Sequence, residues 1–114
     1  MVKSNAARLD NVFHALADPT RRAILRDVSG GEKTVSEVAR PYLLTLAAVS
    51  KHLNVLESAE LIARERRGSF QIVRLKADRM REAEEWIGYY RQFWTERLDA
   101  MAEFLEGNPK GDGR

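Results

Sequence analysis

The stretch TLAAVSKHLNVLE, residues 45–57, combines a helix-starting threonine with short, polar and basic side chains, and has no carboxylate before its last residue. On a helical projection Lys51 lies opposite the apolar stripe, with Ala47 and Asn54 beside it. Such a surface can approach the base edges of a DNA major groove, because it offers hydrogen-bonding groups without bulk or negative charge. The alternative interpretation is an ordinary surface helix with few charges.

A basic segment, ARERRGSF at residues 63–70, follows this helix and surrounds a single acid, Glu65. Guanidinium groups at a hairpin tip can lie along a phosphate backbone. A solvated tip is the alternative, but the helix and the tip together favour DNA. The predicted DNA contacts are Thr45, Ala47, Ala48, Ser50, Lys51, His52, Asn54, Arg64, Arg66, Arg67, Gly68 and Ser69.

The residue types exclude several kinds of chemistry. The chain has no cysteine, which excludes disulfides, thiolate metal sites and thiol catalysis. Its two histidines, His14 and His52, cannot supply the three or four ligands of a zinc site. No phosphate-binding loop or nucleophile motif is present. We therefore predict no metal, no cofactor and no enzymatic activity, and we assign Arg21 and Arg22 to ion pairs and the surface.

Length and charge indicate one small soluble domain with two electrostatically different parts. No apolar run is long enough for a signal peptide or a membrane span, which predicts a cytoplasmic protein without membrane contact. Residues 1–77 carry 13 Lys and Arg against 8 Asp and Glu, whereas residues 78–106 carry 4 against 8. The basic front favours a polyanionic partner.

Helix start and stop signals position these residues. Asp18 and Pro19 open a second helix after the amphipathic residues 5–16, and the TVSE capping box opens a third at Thr34. The predicted fold is mainly α with a small β-hairpin. It is one winged helix-turn-helix domain over residues 1–106, with a recognition helix at 45–59, a wing hairpin at 61–75 (strands 61–66 and 69–75), a dimerisation helix at 78–106 and a disordered tail at 107–114.

The last predicted helix has an apolar face that is wider than one packing contact requires. Its apolar residues span about half a turn, whereas packing on one domain needs an arc of about 100°. We expect a symmetric homodimer to cover the remainder, with the first helix contributing. A purely internal role or a pocket for a hydrophobic effector is the alternative. The predicted dimer interface comprises Leu9, Phe13, Trp86, Tyr90, Phe93, Trp94, Leu98, Met101 and Leu105.

Three segments resemble a known family. FHALADPTRRAIL at 13–25, TVSEVA at 34–39 and AAVSKHLNVLESAELI at 47–62 are similar to ArsR-type winged helix-turn-helix repressors, and the likeness covers roughly residues 8–77. The last helix is similar to a tryptophan-rich subgroup. The resemblance implies a homodimeric transcription regulator, usually a repressor, that places one recognition helix per subunit in the major groove. It also implies DNA contacts at Thr45, Ser50, Lys51 and His52.

Three departures from the family pattern bear on function. Leu46 stands where the family often has a polar residue, commonly Gln, so we expect one base contact to be missing. Glu60 stands where the family usually has Gly, and a left-handed residue there costs about 1 kcal/mol without glycine, so we expect a different exit from the helix. The cysteines and His/Asp sets of the metal-sensing members are absent.

Two functions from different classes follow. The first is a sequence-specific, homodimeric repressor that binds double-stranded DNA at an inverted repeat, with half-sites about one helical turn apart. The second is a protein-interaction module that uses the winged-helix face without specific DNA binding. The basic balance of residues 1–77 and the absence of acids from 45–56 favour the first.

For the first function, Lys51→Ala should weaken binding to every DNA sequence, because a phosphate contact is independent of the base. The dependence of affinity on salt should fall by about one released counterion. The measurement is the DNA dissociation constant over a series of salt concentrations. An unchanged slope would refute the assignment of Lys51.

Overall fold

A computed structural model describes residues 5–107 of the chain. The predicted fold class is confirmed. The helix predicted at 45–59, the two wing strands and the last helix each differ by at most one residue at either end from the elements of the structure. The predicted tail at 107–114 lies outside the described residues apart from Gly107. The elements are α1 (Asn5–Leu16), α2 (Pro19–Ser29), β1 (Lys33–Thr34), α3 (Val35–Ala39), α4 (Leu46–Ser58), β2 (Ile62–Arg67), β3 (Phe70–Leu75) and α5 (Asp78–Leu105).

Side-chain caps set the starts of three helices. The Asp18 carboxylate accepts the backbone N–H of Arg21 at 3.0 Å, and Pro19 occupies the first turn of α2, where no amide donor is required. Thr34 and Glu37 form the reciprocal capping box at the start of α3. The Thr45 hydroxyl accepts the Ala48 N–H at 3.0 Å at the start of α4. These three caps are as predicted from the sequence.

The wing is a three-stranded antiparallel sheet in the order β1-β3-β2, so the prediction of a two-stranded hairpin was incomplete. Arg67 pairs with Phe70 across a two-residue turn that contains Gly68, whose φ of 61° is in the left-handed region that favours glycine. The added strand is short: Lys33 pairs with Val73 and Thr34 with Ile72. Thr34 therefore belongs to the sheet and also caps α3.

The core of the N-terminal unit, which ends at Ala83, lies between the first four helices and the sheet. Val49, Leu53 and Leu56 of α4 are fully buried, as their helical spacing predicts. Because all three lie on one stripe, their burial fixes the rotation of α4 about its axis. The other large, fully buried side chains are Val12, Ile24, Val38, Leu61, Ile62 and Val73.

The last helix, α5, contributes its first residues to this core: Ala83 is buried and Met80 packs against the buried cluster. From Glu84 to Gly107, where the described residues end, the chain belongs to a second compact unit. The prediction of one domain over 1–106 stays a prediction. The boundary between the two units lies within α5, between Ala83 and Glu84. The large apolar side chains of the second unit are exposed, namely Trp86, Ile87, Tyr89, Tyr90, Phe93, Trp94, Leu98, Met101, Phe104 and Leu105.

Glu60 corrects the expectation of a different exit from the recognition helix. Its φ is 60°, the left-handed conformation that glycine normally supplies, and no other non-glycine residue among those described has a positive φ. The Leu61 N–H bonds to the Leu56 carbonyl at 3.0 Å, which closes the helix end. The Glu60 carboxylate lies 3.5 Å from Arg79 Nε. The chain thus keeps the left-handed turn at the end of α4 without glycine, and Glu60 carries the backbone strain of that conformation.

Glu60→Gly should give a higher free energy of unfolding than Glu60→Ala, by about 1 kcal/mol. Both variants lose the ion pair to Arg79, so their difference reports the relief of backbone strain minus the larger backbone entropy that glycine loses on folding. Urea denaturation followed by circular dichroism measures both. Equal stabilities, or a more stable alanine variant, would contradict the strained geometry.

Candidate nucleic-acid interface

The outward face of α4 follows from the buried stripe on its opposite side. Ala47 and Lys51 are exposed, and Ser50 is half-buried beside them. Val55 also lies outside the stripe on a helical projection, but it packs against the core and lines a depression with Asn11 and His14 of α1. The predicted groove-facing surface is therefore small, polar and basic.

His52 borders this surface on the side of α2. Its Nδ1 atom lies 3.4 Å from Arg21 Nη1 and 3.9 Å from the Asp18 carboxylate. When the guanidinium donates to Nδ1, the ring proton is on Nε2, which leaves an N–H donor for a phosphate oxygen. The Arg21 backbone N–H holds the pKa of Asp18 below its ordinary value of 3.8, and the positive charge of Arg21 acts in the same direction.

Arg21 and Arg22 have a role that sequence reasoning missed. Arg21 donates to the Ala15 and His14 carbonyls at 2.8 and 2.9 Å, and Arg22 donates to the Leu16 carbonyl at 2.7 Å. These are carbonyls of the last turn of α1, where the hydrogen-bond ladder of the helix ends, and the His14 carbonyl also accepts the Ala17 N–H at 3.2 Å. The sequence signal for this role was the presence of two arginines in the first turn of α2, directly after the end of α1. Both arginines thus join α1 to α2 by binding backbone rather than carboxylates.

A groove runs between α4 and the wing, and Arg64 crosses it. Its Nη2 and Nε atoms lie 2.9 and 3.1 Å from one carboxylate oxygen of Glu57, and Nη2 also donates to the side-chain oxygen of Asn54. Glu57 is the first acid of α4, so this pair neutralises the first carboxylate that follows the predicted DNA surface along the helix. Arg64 was predicted as a phosphate contact, and the structure places it between recognition helix and wing. The groove lining consists of Ser50, Glu57, Arg64, Glu65, Arg66 and Gln71.

Arg67 is held by carboxylates on two sides. Its Nη2 atom lies 2.8 Å from Glu65 and 3.2 Å from Glu32, and Arg74 also pairs with Glu65. The hydrogen bond from Arg67 is the main cause that lowers the pKa of Glu32 and of Glu65, and these bonds raise the pKa of Arg67. The network therefore joins the wing to the segment before β1. Like Arg64, Arg67 already has protein partners at its predicted phosphate-binding position.

Among the lysines and arginines predicted to contact DNA, two side chains remain available for phosphate. In the part of the chain that the structure describes, the side chains of Lys51 and Arg66 make no hydrogen bond or ion pair, and both are exposed. Arg66 lies opposite Gln71 in the wing, near the turn formed by Gly68 and Ser69. Arg40, which caps the C-terminal end of α3, is also exposed and was absent from the predicted set.

The predicted dimer interface divides into two environments. Its α5 members are exposed, and two of them, Trp86 and Tyr90, form a ring contact with centroids 5.0 Å apart. Tyr90 also contacts Phe93 at 6.2 Å. Leu9 and Phe13 are instead half-buried against the core of the N-terminal unit. The aromatic stripe of α5 is therefore the stronger candidate for an interface.

Other kinds of site find little support within residues 5–107. No three His, Cys, Asp or Glu side chains in this range are grouped so that they could hold a metal ion. None of the described helices has the length and apolar character needed to cross a membrane.

The chain resembles known regulators in sequence. Residues 16–65 match a family model described as a helix-turn-helix domain. The transcriptional repressor SdpR of Bacillus subtilis is 35% identical over 79 residues, which are 69% of this chain and 88% of that protein. The HTH-type transcriptional regulator Rv2034 of Mycobacterium tuberculosis is 32% identical over 97 residues, covering 85% and 88% of the two chains.

Solved structures show the same relationship. A crystal structure of an ArsR family transcriptional regulator superposes with a TM-score of 0.73 at 33% identity, and the match covers 83% of this chain and 97% of that one. An ArsR-like transcriptional regulator from Rhodococcus sp. RHA1 gives a TM-score of 0.66 at 26% identity, covering 87% and 93%.

Arg66 and Arg67 provide a matched pair for testing the interface. Arg66→Ala should lower the slope of log affinity against log salt by about 0.9 for each phosphate that the variant no longer neutralises. Arg67→Ala should leave that slope near the native value, because Glu32 and Glu65 already hold its guanidinium. Fluorescence anisotropy with labelled duplex DNA over a salt series measures both. An equal decrease of the slope in the two variants would contradict this division of the wing arginines.

Proposed function

The chain belongs to the ArsR-type winged helix-turn-helix family of DNA-binding transcriptional regulators, and from this premise we propose a homodimeric repressor that binds an inverted-repeat operator. Each subunit places α4 in a major groove, and its wing lies along the adjacent backbone. The DNA contacts comprise the predicted helix residues together with Arg66, while Arg64 and Arg67 hold the wing in position.

The observation that carries this proposal is the outward face of α4. Between Glu37 and Glu57 the sequence contains no carboxylate, and Arg40 and Lys51 within that interval are exposed. Phosphates on both walls of a groove repel carboxylates and attract these cations. The Thr45 cap leaves the small Ala47 side chain at the start of the helix, where base edges come close.

The support for a homodimer comes from α5. Ten large apolar side chains of this helix are exposed, and Trp94, Leu98 and Phe104 are 51%, 60% and 79% accessible. Monomeric soluble proteins rarely expose a continuous apolar surface of this kind. A two-fold axis brings the same stripe of a second copy against it, which removes both from water. The same axis would repeat the DNA-binding face and so match an inverted repeat.

The test is a selection of genomic DNA fragments by the purified full chain at about 150 mM salt, the range in which nonspecific binding is weak. We expect an enriched inverted repeat with half-sites about one helical turn apart. The operator should bind one dimer, which light scattering of the complex measures. A variant with Phe93→Ser and Trp94→Ser should be monomeric and should lose the preference for the repeat.

Three outcomes would contradict the proposal in different ways. Enrichment of isolated half-sites would refute the dimeric operator. Salt-sensitive binding without enrichment would refute sequence specificity. Failure to bind any DNA fragment would instead favour the protein-interaction module. Lys76→Ala, outside both predicted surfaces, serves as the matched control for a general loss of positive charge.

A further inference from the structure

An exposed apolar patch lies at the start of the recognition helix. Leu43, Leu44 and Leu46 are 105%, 42% and 59% accessible. In the described part of the N-terminal unit, Phe70 at the wing turn is the one other large apolar side chain with comparable exposure. Three of these four side chains therefore fall within four consecutive residues.

The surroundings of this patch are those of the predicted DNA surface. Leu46 is the first residue of α4 and directly follows the Thr45 cap. Helical side chains tilt toward the N-terminus, so Leu46 extends beyond the first turn. Ser50 and Asn54 continue the same row at intervals of four residues. Leu46 therefore lies at the exposed N-terminal end of α4, between its buried stripe and the surface that carries Ser50, Asn54 and Lys51.

The charges near the patch select the kind of partner that covers it. Exposed Arg40 precedes it and exposed Lys51 follows it, whereas no acid occurs between Glu37 and Glu57. An apolar surface whose charged neighbours along the sequence are cations complements a partner that is polyanionic and carries apolar groups. The major groove of DNA fits this description, because the thymine 5-methyl group lies between two phosphate backbones.

We propose that Leu46 is a specificity-determining residue that contacts the 5-methyl group of a thymine in each operator half-site. A leucine side chain has no hydrogen-bonding group, so the methyl group is the base-edge feature that it can recognise by contact. The same side chain against a G·C pair would cover polar groups without replacing their bonds to water, which disfavours that pair. On this proposal Leu46 makes an apolar contact with a base, whereas the sequence alone led us to expect no base contact at this position.

This inference rests on the proposed function, and its test begins with the selected operator. Each thymine of one half-site is replaced in turn by deoxyuridine, which removes the methyl group and leaves every hydrogen-bonding group in place. The symmetric position is replaced at the same time. For native protein we expect one position at which affinity falls about fourfold per half-site, the equivalent of one buried methyl group at about 0.8 kcal/mol.

Two leucine variants assign the effect. Leu46→Ala should bind the thymine and deoxyuridine operators equally well at that position. Leu43→Ala removes an even more exposed leucine from the turn before the helix and should keep the native preference. Both side chains are on the surface, so the melting temperatures of the variants should match that of the native chain.

Several results would overturn the proposal. If native protein binds the selected operator with no response to any deoxyuridine, the regulator stands and the methyl contact is refuted. The same holds if Leu46→Ala shows the full native response. If the loss of affinity on deoxyuridine substitution disappears in Leu43→Ala and persists in Leu46→Ala, Leu43 and not Leu46 makes the methyl contact. Failure to select any operator would remove the proposed function and this inference together.

Discussion

The rotation of α4 about its own axis is the constraint on which the interface depends. Val49, Leu53 and Leu56 are fully buried on one stripe, so the opposite stripe must face outward. A turn of about 100°, one residue, would expose part of the stripe and carry Lys51 toward the protein. The buried stripe therefore determines which residues of α4 face solvent. The core and the candidate DNA surface are two sides of one helix.

Positive charge in the wing serves two purposes that the sequence does not distinguish. Arg64 binds Glu57 of α4, and Arg67 binds Glu32 and Glu65. These pairs are partly exposed, so each contributes little to stability by itself. Their value lies in holding the position of the hairpin relative to α4. Arg66, without such a partner among the described residues, keeps its full charge for an external anion.

Much of the fold could be predicted because its signals are local. Asp18, Thr34 and Thr45 each cap a helix through contacts three residues away, and the apolar stripe of α4 follows from helical spacing alone. Other features depend on distant partners. The strand β1 has two residues and exists because β3 lies beside it. Nothing in the local sequence distinguishes Arg64, which pairs with Glu57 of the preceding helix, from Arg66, which has no such partner in the described part of the chain. The contacts with DNA and between subunits stay predictions.

Thr34 occupies two structures at once, since its backbone pairs with Ile72 in the sheet while its hydroxyl caps α3. A capped helix start and a strand end that share one residue cannot move independently. The pairing of β1 with β3 therefore also sets the position at which α3 begins. One residue joins the wing sheet to the helix that precedes the recognition helix.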